Sequence, residues 1–157
     1  MEELLVVLLL WIGQNSNFEY HESMGLPVVE QVSQVELATI YVGDDDRAQG
    51  YISDAEKAKA FRSLMTNLQA VYTADNNTIY LGERVDLNSA YGRSIIVHEL
   101  IHFLQDVHEQ HAKVNCGNAL EKDAYFIQAD YMREHNLTPP FTEFTVRMQS
   151  LCHVGMY

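Results

Sequence analysis

The sequence is poor in basic residues. Its 157 residues include ten Lys and Arg against 22 Asp and Glu, and no Lys or Arg precedes Arg47. Proteins that bind the phosphate backbone of nucleic acids present clustered Lys and Arg. We therefore predict that the chain binds no nucleic acid. The net charge of −12 instead favours solubility and cationic partners.

Long apolar runs are also missing. The apolar stretch over residues 4–12 is much shorter than the roughly 20 residues that a membrane-spanning helix needs, so no membrane span is predicted. Acidic residues precede this stretch and no A-x-A-like cleavage motif follows it, which argues against a signal peptide. We expect a buried first helix over residues 3–13.

Cysteine is scarce, and Cys116 and Cys152 form no CxxC motif. Their separation argues against a thioredoxin-like centre or a zinc knuckle. The two thiols can stay reduced and buried or form one disulfide, and we expect the disulfide. Such a bridge is worth about 3 to 4 kcal/mol in the chain-entropy model. It would also favour an exported protein, periplasmic or secreted.

The sequence lacks internal repeats and low-complexity linkers. Its length and its hydrophobic fraction of 47% suit one globular domain, so a single domain over residues 1–157 is predicted. The run Gly-Asp-Asp-Asp-Arg from Gly43 is expected to be a solvated turn. A Ca²⁺ loop would need spaced oxygen ligands and a closing Glu.

Apolar periodicity and turn residues predict both helices and strands. A strand is expected over residues 26–33, and a β-hairpin over 68–82 with its strands flanking Ala-Asp-Asn-Asn. Ser53 and Glu56 form a capping-box pattern that predicts the start of a helix. Further helices are expected over residues 119–135 and 142–151. The predicted fold class is α+β, with a small sheet packed on several helices.

The chemistry is concentrated in residues 94–111, which hold four of the seven histidines. This stretch lies in a strongly apolar helix predicted from about residue 89 to 109. His98 and His102 are four residues apart, so they project from one helix face and can bind one zinc ion. Glu99 lies beside them. It can act as a general base on water that the metal acidifies toward a pKa of about 7.

The pentapeptide His-Glu-Leu-Ile-His on a buried helix after a hairpin resembles the zincin metallopeptidases. With the later Leu-Glu-Lys-Asp-Ala-Tyr segment, residues 70–135 are similar to small, uncharacterised bacterial zincin-like proteins. The resemblance implies an active-site helix under a sheet, whose edge strand can align an extended peptide. The resemblance does not imply a substrate. A peptide or protein substrate is expected only from the peptidase hypothesis, and the oligomeric state is left open.

Two residues compete as the third metal ligand. His108 has the metzincin spacing, but Gln105 occupies the position where that pattern needs a helix-ending Gly. On a continuous helix His108 would lie about 240° round from His102. Glu121 lies on the next predicted helix. The chain resembles the gluzincins here, and gluzincins carry a ligand Glu on the following helix. We favour Glu121 and keep His108 as the alternative.

Glu121 has a competing structural role, as the partner of Asn118 in a capping box. Gluzincins also carry an Asp four residues after the ligand Glu, where this chain has Tyr125. Gln105 is expected to bind substrate or a metal ligand, or to be a partly exposed helix residue. Tyr125 or Tyr131 could donate to the oxyanion of a hydrolytic intermediate, or could pack in the core.

Two functions follow from this pattern. The first is a zinc-dependent metallopeptidase that hydrolyses peptide bonds with Glu99 as general base. The alternative is a non-catalytic zinc protein, in which the same ligands serve a binding or structural module. Structural zinc sites usually have four protein ligands, often Cys, and need no carboxylate base. Three ligands and a retained Glu99 therefore favour the peptidase.

Overall fold

The described residues of the chain form six α-helices and a small mixed sheet. The computed structural model describes residues 1–43 and 54–152, with side chains from residue 59 onward in the second range. The helices are α1 (Glu2–Asn15), α2 (Gln34–Gly43), α3 (Asp54–Asn67), α4 (Ala90–Val107), α5 (Asn118–Glu134) and α6 (Glu143–Gln149), and the strands are β1 (Val28–Val32), β2 (Ala70–Thr73) and β3 (Thr78–Gly82). The predicted α+β class is confirmed.

The chain divides into two compact units. One comprises Val28–Val85, and the other joins Met1–Pro27 to the chain from Asp86 onward. The sheet belongs to the first unit and the histidine-rich helix α4 to the second. The expected packing of a sheet on that helix, and the single domain over residues 1–157, stay predictions.

The sheet unit has the strand order β1-β3-β2. Strands β1 and β3 are parallel, and β2 and β3 form the predicted antiparallel hairpin. The turn uses Asn77 at φ 51°, a left-handed conformation that Asn tolerates better than most residues. Ile79 and Leu81 of β3 are fully buried, as the alternation of the hairpin sequence predicts.

Helix α2 was not predicted. Its sequence, Gln-Val-Glu-Leu-Ala-Thr-Ile-Tyr-Val-Gly, is rich in β-branched and aromatic residues that favour strands. Tertiary contacts decide the outcome: Leu37 and Ala38 are fully buried, and Gln34 donates to the Leu68 carbonyl at 2.6 Å. The predicted helix after Ser53 is present as α3. The Ser53–Glu56 capping box and the acidic run over 44–47 lie outside the residues or side chains that the structure describes.

The second unit is helical, and α4 is its centre. Residues from Gly92 to Gln105 are buried with the exceptions of Arg93 and His102, which are half-buried. The helix begins at Ser89, whose hydroxyl accepts a hydrogen bond from the Gly92 amide at 2.9 Å. Gly92 is required there, because a Cβ would collide with the Asp86 carbonyl. The predicted bounds and burial of this helix are confirmed.

Helix α1 is buried along one face only. Leu5, Leu9 and Ile12 are fully buried, whereas Val7 is 61% exposed. The expectation of a buried first helix therefore holds for that face. Among the described residues, no helix combines the length and the apolar character needed to cross a bilayer.

The Cys116–Cys152 disulfide is present, with Cα atoms 5.8 Å apart. Cys116 lies just before α5, and Cys152 follows α6. The bridge therefore links the start of α5 covalently to the segment after α6. It uses both cysteines of the sequence.

Candidate metal centre

Helices α4 and α5 bring three metal-ligating side chains together. The Nε2 atoms of His98 and His102 are 3.2 Å apart. Glu121, in the first turn of α5, places one carboxylate oxygen 3.3 Å from His98 Nε2 and the other 3.4 Å from His102 Nε2. These three residues are the group that could hold a metal ion among the residues that the structure describes.

The spacing of the three ligands fits zinc. Ligands at about 2.0 to 2.1 Å from a tetrahedral zinc are about 3.3 Å from one another. The two Nε2 atoms are 3.2 Å apart, close to that value, and each has one Glu121 oxygen at 3.3 or 3.4 Å. Two imidazole nitrogens and one carboxylate oxygen are also a donor set that zinc accepts. The residues present therefore fit the expected metal.

The Nδ1 atom of each histidine lies within hydrogen-bond distance of a glutamine side chain. His102 Nδ1 lies 2.8 Å from Gln105 Oε1, and the Gln105 amide nitrogen donates to the Leu120 carbonyl at 2.8 Å. His98 Nδ1 lies 3.1 Å from Gln128 Oε1. In both rings Nδ1 is thus engaged by an amide oxygen, and Nε2 faces Glu121.

Gln105 contacts a metal ligand, as one of its predicted roles required, and at 1% exposure it is not a partly exposed helix residue. No role was predicted for Gln128. Its spacing of two turns from Glu121 was the available signal. The carboxylate that gluzincins carry behind a histidine ligand is absent from these contacts.

Burial and charge compete at the site. Burial alone lowers the pKa of His102, but hydrogen bonding to Glu121 and the charges of Glu121 and Glu99 outweigh it. Together with a hydrogen bond to Gln105, they raise the pKa from 6.5 to about 9. Burial likewise raises the pKa of Glu121, but hydrogen bonds and charge from His102 and His98 bring it well below its usual range. His102 and Glu121 thus form a charged, mutually stabilised pair.

Glu99 is buried next to His98 on α4. Its charge helps to raise the pKa of His102, so it lies close enough to the ligands to act on them electrostatically. The Tyr125 ring lies 4.5 Å from the His98 ring in edge contact. Phe141, which the sequence did not suggest, packs on Tyr125 at 4.9 Å.

His108 lies outside the cluster. It terminates α4 as its C-cap residue, and its Nε2 lies 2.9 Å from the Glu19 carbonyl oxygen. The capping role for Glu121 is not observed either, because Gly117 is the N-cap of α5 and no side chain caps that end. Tyr131 is buried, and its ring packs edge-on against Trp11 at 5.0 Å.

A cavity of about 470 Å³ opens elsewhere in the helical unit. It is lined by residues of the α1–β1 connection and by His108, Asp123, Phe126 and Ile127, and none of the three clustered ligands lines it. The candidate metal cluster is open to solvent at Glu121, whose side chain is 36% exposed.

Comparison with known proteins identifies one family. The model of a domain of unknown function (DUF6647) matches residues 1–155. No curated protein and no solved structure matches the chain. The family description carries no activity, so the side chains of the site are the basis for a function.

Proposed function

The chain belongs to the DUF6647 family, and we propose that it is a zinc-dependent metallopeptidase. The observation that carries the proposal is the triangle of residues His98, His102 and Glu121. Its Nε2 atoms are 3.2 Å apart, and each has one Glu121 oxygen at 3.3 or 3.4 Å. Three protein ligands are typical of catalytic zinc, and four of structural zinc. The buried Glu99 beside this triangle supports the catalytic form.

Zinc, when bound, would act as a Lewis acid and lower the pKa of water toward about 7. The chain's own residues would do the rest. Glu99 would accept a proton from the attacking water and pass it to the leaving amine, as a general base and then a general acid. His98, His102 and Glu121 would hold the ion, while the edge of the Tyr125 ring would keep the His98 ring in place.

The substrate class follows from the proposed chemistry. A peptide or protein chain is the proposed partner, approaching from the Glu121 side. The Cys116–Cys152 disulfide is consistent with an exported protein, because disulfides persist in oxidising compartments. We therefore propose that the enzyme acts outside the cytoplasm.

A non-catalytic zinc protein is the second candidate. It is favoured by the position of the 470 Å³ cavity, which is not lined by His98, His102 or Glu121. An extended peptide can bind along a shallow surface through backbone hydrogen bonds, so the absence of these ligands from that cavity does not oppose the peptidase. The two candidates differ in whether Glu99 performs chemistry.

Glu99→Gln separates the two candidates. The amide keeps the shape of the side chain and removes its basicity. We expect the wild-type protein to carry about one zinc and to cleave an unfolded protein such as casein. The variant should retain zinc and fold but lose at least 100-fold in rate, in line with general-base catalysis.

Metal analysis and casein cleavage are measured together on the wild type and three variants. His98→Ala with His102→Ala should lose both zinc and activity, and His111→Ala, outside the cluster, should keep both. Undiminished cleavage in Glu99→Gln would refute the general-base role. Zinc binding without cleavage in the wild type would favour the non-catalytic candidate.

A further inference from the structure

Two buried glutamines connect the proposed metal ligands to the helix opposite each of them. Gln105 lies on α4 and bonds both to His102 and to the Leu120 carbonyl at the start of α5. Gln128 lies on α5 and bonds to His98 and Ser94, both on α4. Two glutamine side chains therefore bridge the α4–α5 interface, one beside each histidine.

The orientation of the Gln105 amide follows from its partners. The Leu120 carbonyl can only accept a hydrogen bond, so the Gln105 nitrogen faces it and the oxygen must face His102. An amide oxygen accepts, so His102 Nδ1 carries the proton. The same side chain holds the backbone of Leu120, the residue before Glu121, and so fixes two ligands against each other.

The Gln128 amide is oriented by a short relay. The Ser94 hydroxyl donates its one proton to the Tyr91 carbonyl at 2.7 Å. It therefore accepts from the Gln128 nitrogen, 3.4 Å away, and the Gln128 oxygen must face His98 Nδ1 at 3.1 Å. His98 Nδ1 thus carries a proton, and its Nε2 is the atom directed at the cluster.

Both positions are side-chain amides, where metal-binding histidines usually meet a carboxylate, a backbone carbonyl or water. The site already holds two buried or half-buried carboxylates, Glu99 and Glu121. A further buried carboxylate would add like charge and would need its own partners. The amides can orient both rings without that charge, because their nitrogens have acceptors of their own.

We propose that Gln105 and Gln128 are positioning residues that set the affinity of the His98–His102–Glu121 site by neutral hydrogen bonds. The inference rests on the proposed metal site and does not depend on peptidase activity. Loss of such a partner typically costs 10- to 100-fold in metal affinity. A carboxylate at the same place should make the histidine a stronger ligand, since accepting the Nδ1 hydrogen bond raises the basicity of Nε2.

The test is zinc affinity, measured by competition with a chelator on the full chain. Gln105→Met and Gln128→Met keep the side-chain volume and remove the hydrogen bond. Each should weaken zinc binding by about 10- to 100-fold. Gln128→Glu should bind zinc more tightly than Gln128→Met and at least as tightly as the wild type. Gln149→Met, the same change at an exposed position of α6, should leave affinity unchanged.

Two readouts separate positioning from a purely structural role. Thermal unfolding after chelator treatment measures the stability of the fold. If Gln128 has a purely structural role, both Gln128 variants should lose stability as well as zinc affinity. NMR of the zinc-loaded wild type should show two imidazole Nδ1–H resonances protected from exchange, a measurement that needs no variant to fold. Their absence would overturn the assignment.

The outcomes distinguish this inference from the proposed site. Unchanged zinc affinity in both Met variants, with binding lost in His98→Ala, would overturn the role of the glutamines and leave the metal site intact. No zinc binding by the wild type would overturn both. Weaker binding in the Met variants, restored in Gln128→Glu, is the result that supports positioning.

Discussion

At the scale of single residues, Glu121 is the side chain that completes the candidate metal centre. It sits in the first turn of α5, and its two oxygens face two different histidines at 3.3 and 3.4 Å. A carboxylate near a helix N-terminus is also stabilised by the helix dipole. Its charge is therefore favourable both to the helix that carries it and to the site that it completes.

Glu121→Ala should weaken zinc affinity by orders of magnitude, because it removes one of three ligands and the charge that balances the cation. His108→Ala serves as the matched control, since His108 contacts the Glu19 carbonyl instead, and its zinc affinity should be nearly that of the wild type. Chelator competition measures both. Equal zinc affinity in Glu121→Ala and the wild type would remove Glu121 from the ligand set.

At the scale of elements, α4 and α5 form the pair that builds the site. The buried apolar residues of α4, such as Leu100 and Leu104, and Ala124 of α5 at 0% exposure, are consistent with close packing of the two helices. Each buried apolar side chain contributes about 1.5 to 3 kcal/mol by removal from water. The ionised side chains of the cluster, His102 and Glu121, make the stability of this helix pair depend on pH.

The metal-free protein should be most stable between about pH 4.5 and 6.5. The folded pKa of His102 is raised from 6.5 to about 9, so its stabilisation is complete below pH 6.5 and is lost as the pH rises to about 9. The folded pKa of Glu121 is lowered from 4.5, so its stabilisation is complete above pH 4.5 and is lost as the pH falls.

Thermal unfolding of chelator-treated protein between pH 4 and 10 measures this dependence. Glu121→Gln removes the charge that raises the pKa of His102, so its unfolding midpoint should vary less over the same range. With zinc present, the ligands must be unprotonated, and the decline between pH 6.5 and 9 should disappear. A metal-free midpoint that rises over that interval would contradict the shift.

At the scale of the whole molecule, the chain is acidic, with a net charge of −12, and the family match extends over residues 1–155. Its helical unit takes residues from both ends of the chain, Met1–Pro27 and the part from Asp86 onward. Within that unit the disulfide closes a separation of 36 residues between Cys116 and Cys152. That covalent loop contains α5 and therefore Glu121.

Thiol titration under denaturing, non-reducing conditions should find no free cysteine. Reduction should lower stability by about 3 to 4 kcal/mol in the chain-entropy model, seen as a lower unfolding midpoint. The Cys116→Ala, Cys152→Ala protein is the control, and its midpoint should not respond to a reducing agent. Two reactive thiols in the unreduced protein would contradict the bridge and weaken the case for export.

Local spacing was enough to predict several features from the sequence. Residues four apart on one helix share a face whatever surrounds them, so His98 and His102 could be paired without a structure. The β2–β3 hairpin follows from alternation and turn residues of neighbouring segments in the same way. The disulfide was predictable because the sequence contains two cysteines, which allow one pairing.

The third ligand needed the packing of α4 on α5. The resemblance to gluzincins favoured Glu121, and helical spacing argued against His108. Both stayed open, because the choice depends on where one helix meets another. Gln128 acquired its contact to His98 by the same packing, and α2 became helical through burial of Leu37 and Ala38 against its strand-forming composition. Periodicity reports the face of an element, whereas contacts between elements depend on the free energy of burying those faces together.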